Sequence, residues 1–245
     1  MDKIAIISDI HGNMTALQSV LTDIECRSIS RIICLGDIIG KGPQPAQAVD
    51  LVREKCELII RGNWEEGLKL DTDYEGLIWA REQLGPDMVD YLLNLPLSTE
   101  FLISGRLVRL FHASAKDINH RVTPWSSLEE REAMFANTSL TGSNCTDREP
   151  DVVGYADIHQ PFVENIHGKT LFNTGSVGNA ADLIPQASYA IIEGVFGSED
   201  LKPFSLNLVR VPYNNEETIQ NAIESGMPEL EAFIGEVRTG RYRGA

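Results

Sequence analysis

The chain has 245 residues, with 36 Asp and Glu against 21 Lys and Arg, and a formal charge of −15. At 42% apolar and 23% charged it is neither disordered nor collagenous, and its length suits one large domain or two small ones. The acidity speaks against a protein that coats nucleic acid, which needs surplus Lys and Arg, but not against a phosphate substrate, because bound metal reverses the local field.

No apolar run approaches the ~18 residues of a membrane span. Met1-Asp2-Lys3 leads straight into a short apolar strand, without the longer hydrophobic region of a signal peptide. Cys26, Cys34, Cys56 and Cys145 show no CxxC spacing and read as reduced, mostly packed thiols. The expectation is a cytoplasmic protein with no membrane partner; its oligomeric state is not legible.

The first third alternates strand and helix. Ile4–Ile7 is a continuous apolar strand, and Met14, Leu17, Val20, Leu21 and Ile24 then recur at helical spacing. Arg31–Leu35 is a second strand ending at Gly36-Asp37, followed by a helix carrying Ala46, Val49, Val52 and Cys56. Leu58–Ile60 is a third, ending at Gly62-Asn63. Continuous apolar strands separated by helices indicate a sheet covered on both faces.

Residues 66–95 read as helices, with Leu77, Ile78, Trp79, Leu84, Met88, Tyr91, Leu92 and Leu95 as packing residues. A hairpin follows, Thr99–Ile103, a Ser104-Gly105 turn and Arg106–Phe111. Residues 114–149 are polar, with one helix around Ser127–Phe135. Short strands return at Val152-Val153, Phe162–Ile166, Thr170–Phe172, Tyr189–Ile192 and Asn207–Val211, and a helix follows Asn214-Asn215. With no repeat and no long linker, residues 1–245 read as a single domain with a helical cap or insertion within 66–149.

Metal-type ligands stand just past strand ends. Asp9 and His11 follow the first strand, Asp37 the second and Asn63 the third; His112 follows the hairpin, and Asp157 and His159 follow Val152-Val153. In open α/β sheets, ligands collect outside the carboxyl ends of the strands. Carboxylate, imidazole and amide oxygen together suit Mn²⁺, Fe or Zn²⁺ better than Ca²⁺. Two such ions about 3.5–4 Å apart would clamp phosphate oxygens, and Asp37 is the natural residue to reach both.

Asp9-Ile10-His11-Gly12-Asn13, Gly36-Asp37 with Gly42, and Gly62-Asn63 together resemble the signature of the calcineurin-like metallophosphoesterases. Phe111-His112-Ala113-Ser114 resembles that family's isolated histidine block. Ala156-Asp157-Ile158-His159-Gln160-Pro161-Phe162 aligns with its Gly-His-x-His-x-Pro-Phe block, and Asn173–Gly178 with the Asn-Pro-Gly-Ser-Val-Gly stretch of its small bacterial phosphodiesterase-like branch. The resemblance runs from about residue 3 to 192, with the blocks in order.

It implies an α/β fold of four αββα layers, a two-sheet sandwich flanked by helices, with a dinuclear centre of two divalent ions, Mn²⁺ favoured. Asp9, His11 and His159 would hold one ion, Asn63 and His112 the other, and Asp37 would bridge. Asp157 is a further candidate ligand, and Asn13, Lys41, Asn63 and Trp64 are candidates to meet phosphate or substrate. The implied reaction is attack of a metal-bound hydroxide on a phosphomonoester or phosphodiester, with Asp37, Asn63 and His112 catalytic and a phosphorylated small molecule or nucleotide favoured as substrate.

Three positions depart from the family pattern. Asp157 replaces the first histidine of the His-x-His pair, and Gly40-Lys41-Gly42 stands where protein phosphatases have Asp-Arg-Gly. Trp64 replaces a catalytic histidine, and indole cannot protonate a leaving group, so Glu65 or His120 would have to supply a proton. The alternatives are a catalytically silent scaffold of the kind used in the retromer complex, a Ser/Thr protein phosphatase and a diadenosine-polyphosphate hydrolase. Asn13 also suits the N-cap of the next helix. His120 and His167 read as structural, and Gly175–Gly178 is no nucleophile elbow because Thr174 stands where its first glycine belongs.

Overall fold

The computed structural model describes residues 1–141 and 148–243, so Cys145 lies outside the described residues. In chain order the elements are β1 (Asp2–Ile7), α1 (Met14–Cys26), β2 (Arg31–Cys34), α2 (Pro45–Lys55), β3 (Leu58–Ile59), α3 (Asn63–Gly67) and α4 (Glu75–Leu93). Then come β4 (Ser98–Ile103), β5 (Arg106–Phe111), α5 (Leu128–Glu132), β6 (Val152–Tyr155), β7 (Phe162–Ile166) and β8 (Lys169–Asn173). The described chain ends with β9 (Ala187–Gly194), β10 (Ser205–Val211), α6 (Asn215–Ser225) and α7 (Leu230–Thr239).

The strands form two five-stranded sheets, ordered β10-β9-β1-β2-β3 and β4-β5-β6-β8-β7. In the first, β1, β2 and β3 run parallel, with β9 and β10 added antiparallel. In the second, β5, β6 and β8 run parallel between antiparallel β4 and β7. Each sheet therefore aims three parallel carboxyl ends one way, and the predicted ligands follow five of those six strands.

Why the strands are continuously apolar is now plain. Successive side chains of β1 point to opposite faces. Ile4 and Ile6 join Ile33, Leu110, Val152 and Phe172 in the core between the sheets, whereas Ala5 and Ile7 pack outward with Leu17 and Val20 of α1 and Val49 and Val52 of α2. The outer face of the second sheet is covered by the segment after β5, through Val122, Met134 and Phe135 against Tyr155 and Leu171. This is the two-sheet sandwich flanked by helices that the sequence implied.

The helical stretch expected over 66–95 divides in two. Residues 68–74 lie outside both α3 and α4. α4 itself is kinked at Gly85 (φ 72°, ψ 169°), because Pro86 offers no amide hydrogen and excludes the helical conformation from the residue before it. Leu77, Leu84, Leu92 and Leu95 are buried as expected, while Trp79 packs beside the cluster formed by α6 and α7. Among the described residues no helix is long and apolar enough to cross a membrane.

In the core between the sheets the Phe172 ring lies over Gly154, at which a Cβ would fall 2.2 Å from the ring. Phe172→Ala should therefore cost about 3–5 kcal/mol. Urea denaturation measures it, and a loss below 1 kcal/mol would contradict this account of the core.

Candidate metal centre

The loops after β1, β2 and β6 turn sharply. Asp9, His11, Asp37, Asp157 and His159 all adopt positive φ, between 49° and 63°. Asp and His tolerate this left-handed region better than most residues, yet five such positions in one place mark a strained site. The loops are held by one another: Asp9 N–H donates to Gly36 O and His11 N–H to Asp37 O, while Gly178 N–H donates to Asp9 O. Gly36 and Gly62 meet so closely that a Cβ on Gly36 would lie 2.3 Å from Gly62 N, which is how Asp37 and Asn63 become neighbours.

Three histidines are oriented alike. His11 Nδ1 lies 3.0 Å from Ile39 O, His112 Nδ1 2.7 Å from Leu35 O, and His159 Nδ1 is bonded to Asn179 O. A carbonyl only accepts, so each Nδ1 carries the proton and each Nε2 is left for the centre. His11 Nε2 and His159 Nε2 approach to 3.1 Å, and Asp9 Oδ1 lies 3.3 Å from His159 Nε2. Asp37 faces two ways, with Oδ1 3.4 Å from His112 Nε2 and Oδ2 3.8 Å from His11 Nε2.

These side chains form two groups able to hold an ion, Asp9 with His11 and His159, and Asp9 with Asp37 and His112. Both oxygens of Asp9 and Nε2 of His112 are buried without a hydrogen-bond partner. A carboxylate taken out of water without a donor is costly unless a cation compensates it. The donor set and its orphaned atoms fit divalent metal. Burial, reinforced by Lys41 and His159, holds His11 well below its usual pKa, which keeps its lone pair available.

Glu65 is the residue whose part the sequence concealed. Its Oε2 accepts from the amides of Asp37 and Gly62, both at 2.8 Å, and its Oε1 from those of Ile38 (2.8 Å) and Ile39 (3.3 Å). It thus ties the loop after β2 to the loop after β3 and is not placed to give a proton to a leaving group. Burial first, and then the charge of Asp37, raise its pKa to about 7 against those backbone hydrogen bonds. Glu65 takes the N3 position of a capping box, but Gly62 has no side chain to complete the motif, so the sequence carries no such signature. His120 is also remote: its Nδ1 lies 3.2 Å from Ser114 Oγ, and it lines a separate small pocket.

The remaining predicted residues divide. Asn13 is buried as the N-cap of α1; its amide oxygen accepts from Ala16 N and Thr218 Oγ1, and its amide nitrogen donates to Gly178 O. Beside the centre opens a cavity of about 610 Å³, lined by Asp37, Lys41, Asn63, Trp64, Asp157 and His159. Lys41 donates to Asn179 Oδ1 at 3.0 Å, and burial lowers its pKa. Trp64 packs on Gly40, where a Cβ would meet the ring at 2.2 Å. Asp157 lies outside both groups, with its carboxylate engaged by Asn63 and Arg121. Sequence patterning gave no sign that Arg121, Tyr74 and residues 241–243 also line the cavity.

Residues 3–195 match the calcineurin-like phosphoesterase superfamily domain, and the chain belongs to that family. Over 262 aligned residues it is 32% identical to the uncharacterized protein MJ0912 of Methanocaldococcus jannaschii, covering 95% of this chain and 96% of that one. The crystal structure of a metallophosphoesterase from Sphaerobacter thermophilus is similar at TM-score 0.74 and 24% identity, covering 98% of this chain and 99% of the other. That of hypothetical protein PH1004 from Pyrococcus horikoshii OT3 is similar at TM-score 0.78 and 19% identity, covering 99% and 100%. These two confirm the fold.

Two outcomes follow from the site's wiring. In Glu65→Gln, whichever way the amide turns, two backbone donors face an NH₂, so folding stability should fall by at least about 2 kcal/mol in urea denaturation of the metal-free protein. His112 titrates well above its usual value: burial opposes the charge, but the nearby carboxylate of Asp37 attracts the protonated ring, with Asp9 and Asp157 adding to it. An incoming ion must displace that proton. Calorimetric titration with Mn²⁺ should show proton release and an affinity that weakens as pH falls; a pH-independent affinity would contradict the assignment.

Proposed function

We propose that the protein is a divalent-metal-dependent phosphoesterase that hydrolyses a phosphomonoester or phosphodiester of a small molecule or nucleotide. The observation that carries this reading is the Asp9 carboxylate, completely buried, with neither oxygen hydrogen-bonded and three histidine Nε2 atoms converging around it and Asp37. A silent scaffold has no use for so costly an arrangement.

Asp9, His11 and His159 would hold one ion and Asn63 and His112 the second, with Asp37 reaching both; Mn²⁺ is favoured over Fe or Zn²⁺. Bound there, the ions would supply positive charge to phosphate oxygens and lower the pKa of a water. The protein's own residues do the rest. The Nδ1–H bonds to Ile39, Leu35 and Asn179 fix the rings, so donor positions are set before substrate arrives. Trp64 Nε1 gives no proton to a leaving group, which favours esters whose alcohol or phenol departs readily.

Tyr74, Arg121 and Trp125, all within the 66–149 segment read as a cap, line the cavity together with Trp64. An aromatic wall beside a phosphate site suits a base or aryl group. Asp37→Asn should abolish Mn²⁺-stimulated hydrolysis of nitrophenyl phosphate while leaving the circular dichroism spectrum unchanged. Full activity in that variant would sink the reading.

A further inference from the structure

The cavity beside the centre is lined by four cationic side chains, Lys41, Arg121, Arg241 and Arg243, in a chain that is acidic as a whole. They are held differently. Lys41 is tied to Asn179, and Arg243 is gripped by Glu236 through two nitrogens and by Glu229 at 2.8 Å. Arg121 is locked to Asp157 along one edge and also meets the Tyr242 hydroxyl. Its Nε donates to Asp157 Oδ2 at 2.9 Å and its Nη2 to Asp157 Oδ1 at 3.1 Å, yet its side chain remains 52% exposed.

Asp157 is the opposite. Its side chain is 3% exposed, and Oδ1 also accepts from Asn63 Nδ2 at 2.7 Å. Both of its oxygens are therefore taken, one by Arg121 alone and one shared between Arg121 and a residue of the metal centre. A guanidinium carries five N–H donors in a planar fork, and Asp157 uses only one edge of it. Beyond the contacts to Asp157 and Tyr242, the half-exposed guanidinium has donors left to grip a phosphate that reaches Asn63.

Resting on the phosphoesterase reading of the same site, we propose that Arg121 binds the substrate's phosphate and that Asp157 is the positioning residue that holds it there. Two departures from the family pattern then explain each other. A carboxylate replaces histidine at 157 because it seats an arginine, and the fork that Lys41 lacks comes from position 121. The ligand class is a phosphate ester whose non-bridging oxygens reach beyond the metal centre to a planar guanidinium.

The test combines binding and turnover in the Mn²⁺-loaded protein, with inorganic phosphate as the calorimetric probe and nitrophenyl phosphate as substrate. Arg121→Ala should weaken phosphate binding and raise KM about 10-fold to 100-fold, because charge-assisted hydrogen bonds are lost. Arg121→Lys should recover little, since an ammonium cannot reproduce the fork. Asp157→Asn should weaken phosphate binding in the same direction while the Mn²⁺ content stays at the wild-type value. Phosphate affinity unchanged in Arg121→Ala overturns the proposal, as does a wild-type protein that binds no phosphate. Loss of one equivalent of Mn²⁺ in Asp157→Asn would instead make Asp157 a metal ligand and overturn its positioning role. If the wild type binds phosphate through Arg121 but hydrolyses no ester, the phosphoesterase reading fails and the anion site stands.

Discussion

The loops of the site are arranged around a buried carboxylate whose oxygens no hydrogen-bond donor reaches. Asp9 sits at the end of the central strand of the first sheet, wholly inaccessible, with no donor on either oxygen. Hydrogen-bonded partners would have been easy to supply, since the surrounding loops are rich in amides. Those amides are spent elsewhere, on Glu65 and on the carbonyls that link one loop to the next. A site that ties its loops together through backbone bonds and leaves both oxygens of one buried carboxylate bare is suited to a cation, and the neighbouring imidazoles complete groups able to hold one.

The preorganisation has a mechanical side. Five site residues adopt left-handed backbone conformations, each costing of order 1–3 kcal/mol, and they persist only because both sheets clamp the loops that carry them. The clamp is the symmetry of the architecture. Three parallel strands in each sheet end on the same side, and the loop at 176–178 is bonded to the loop at 8–9 through Ser176 Oγ and the amides of Val177 and Gly178. Strain at the centre is thus offset by the core between the sheets and does not fall on any one loop.

Much of this was legible in the sequence, for reasons that can be named. Strands buried on both faces are continuously apolar, so a polar residue just past such a run stands out. Asp9, Asp37, Asn63, His112 and His159 stood out in that way. Other features left no local trace. Arg121 lies in a polar loop without periodicity, and only the folded chain brings it 36 residues away to Asp157. Trp64 stands out in the sequence only as a departure from the family pattern, because the room that Gly40 makes for its ring exists only in the fold. Glu65 read as a spare acid because sequence shows a carboxyl group but not the four amides that surround it. The kink in α4 was written in Gly85-Pro86, and the apolar spacing on either side obscured it.

The charge distribution gains meaning from the same geometry. Acidic residues outnumber basic ones 36 to 21 over the chain, yet four basic side chains gather around one cavity. Asp37, Asp157 and Glu229 line the same cavity, so the basic groups stand among carboxylates within the ~8 Å over which charges act at physiological ionic strength. Carboxylates at the bottom of the cavity and guanidinium groups around its wall are two layers of opposite charge. Asp157 belongs to both, since one carboxylate oxygen is shared by Asn63 of the inner layer and Arg121 of the outer. That single shared atom couples the place where an ion would sit to the place where substrate would arrive.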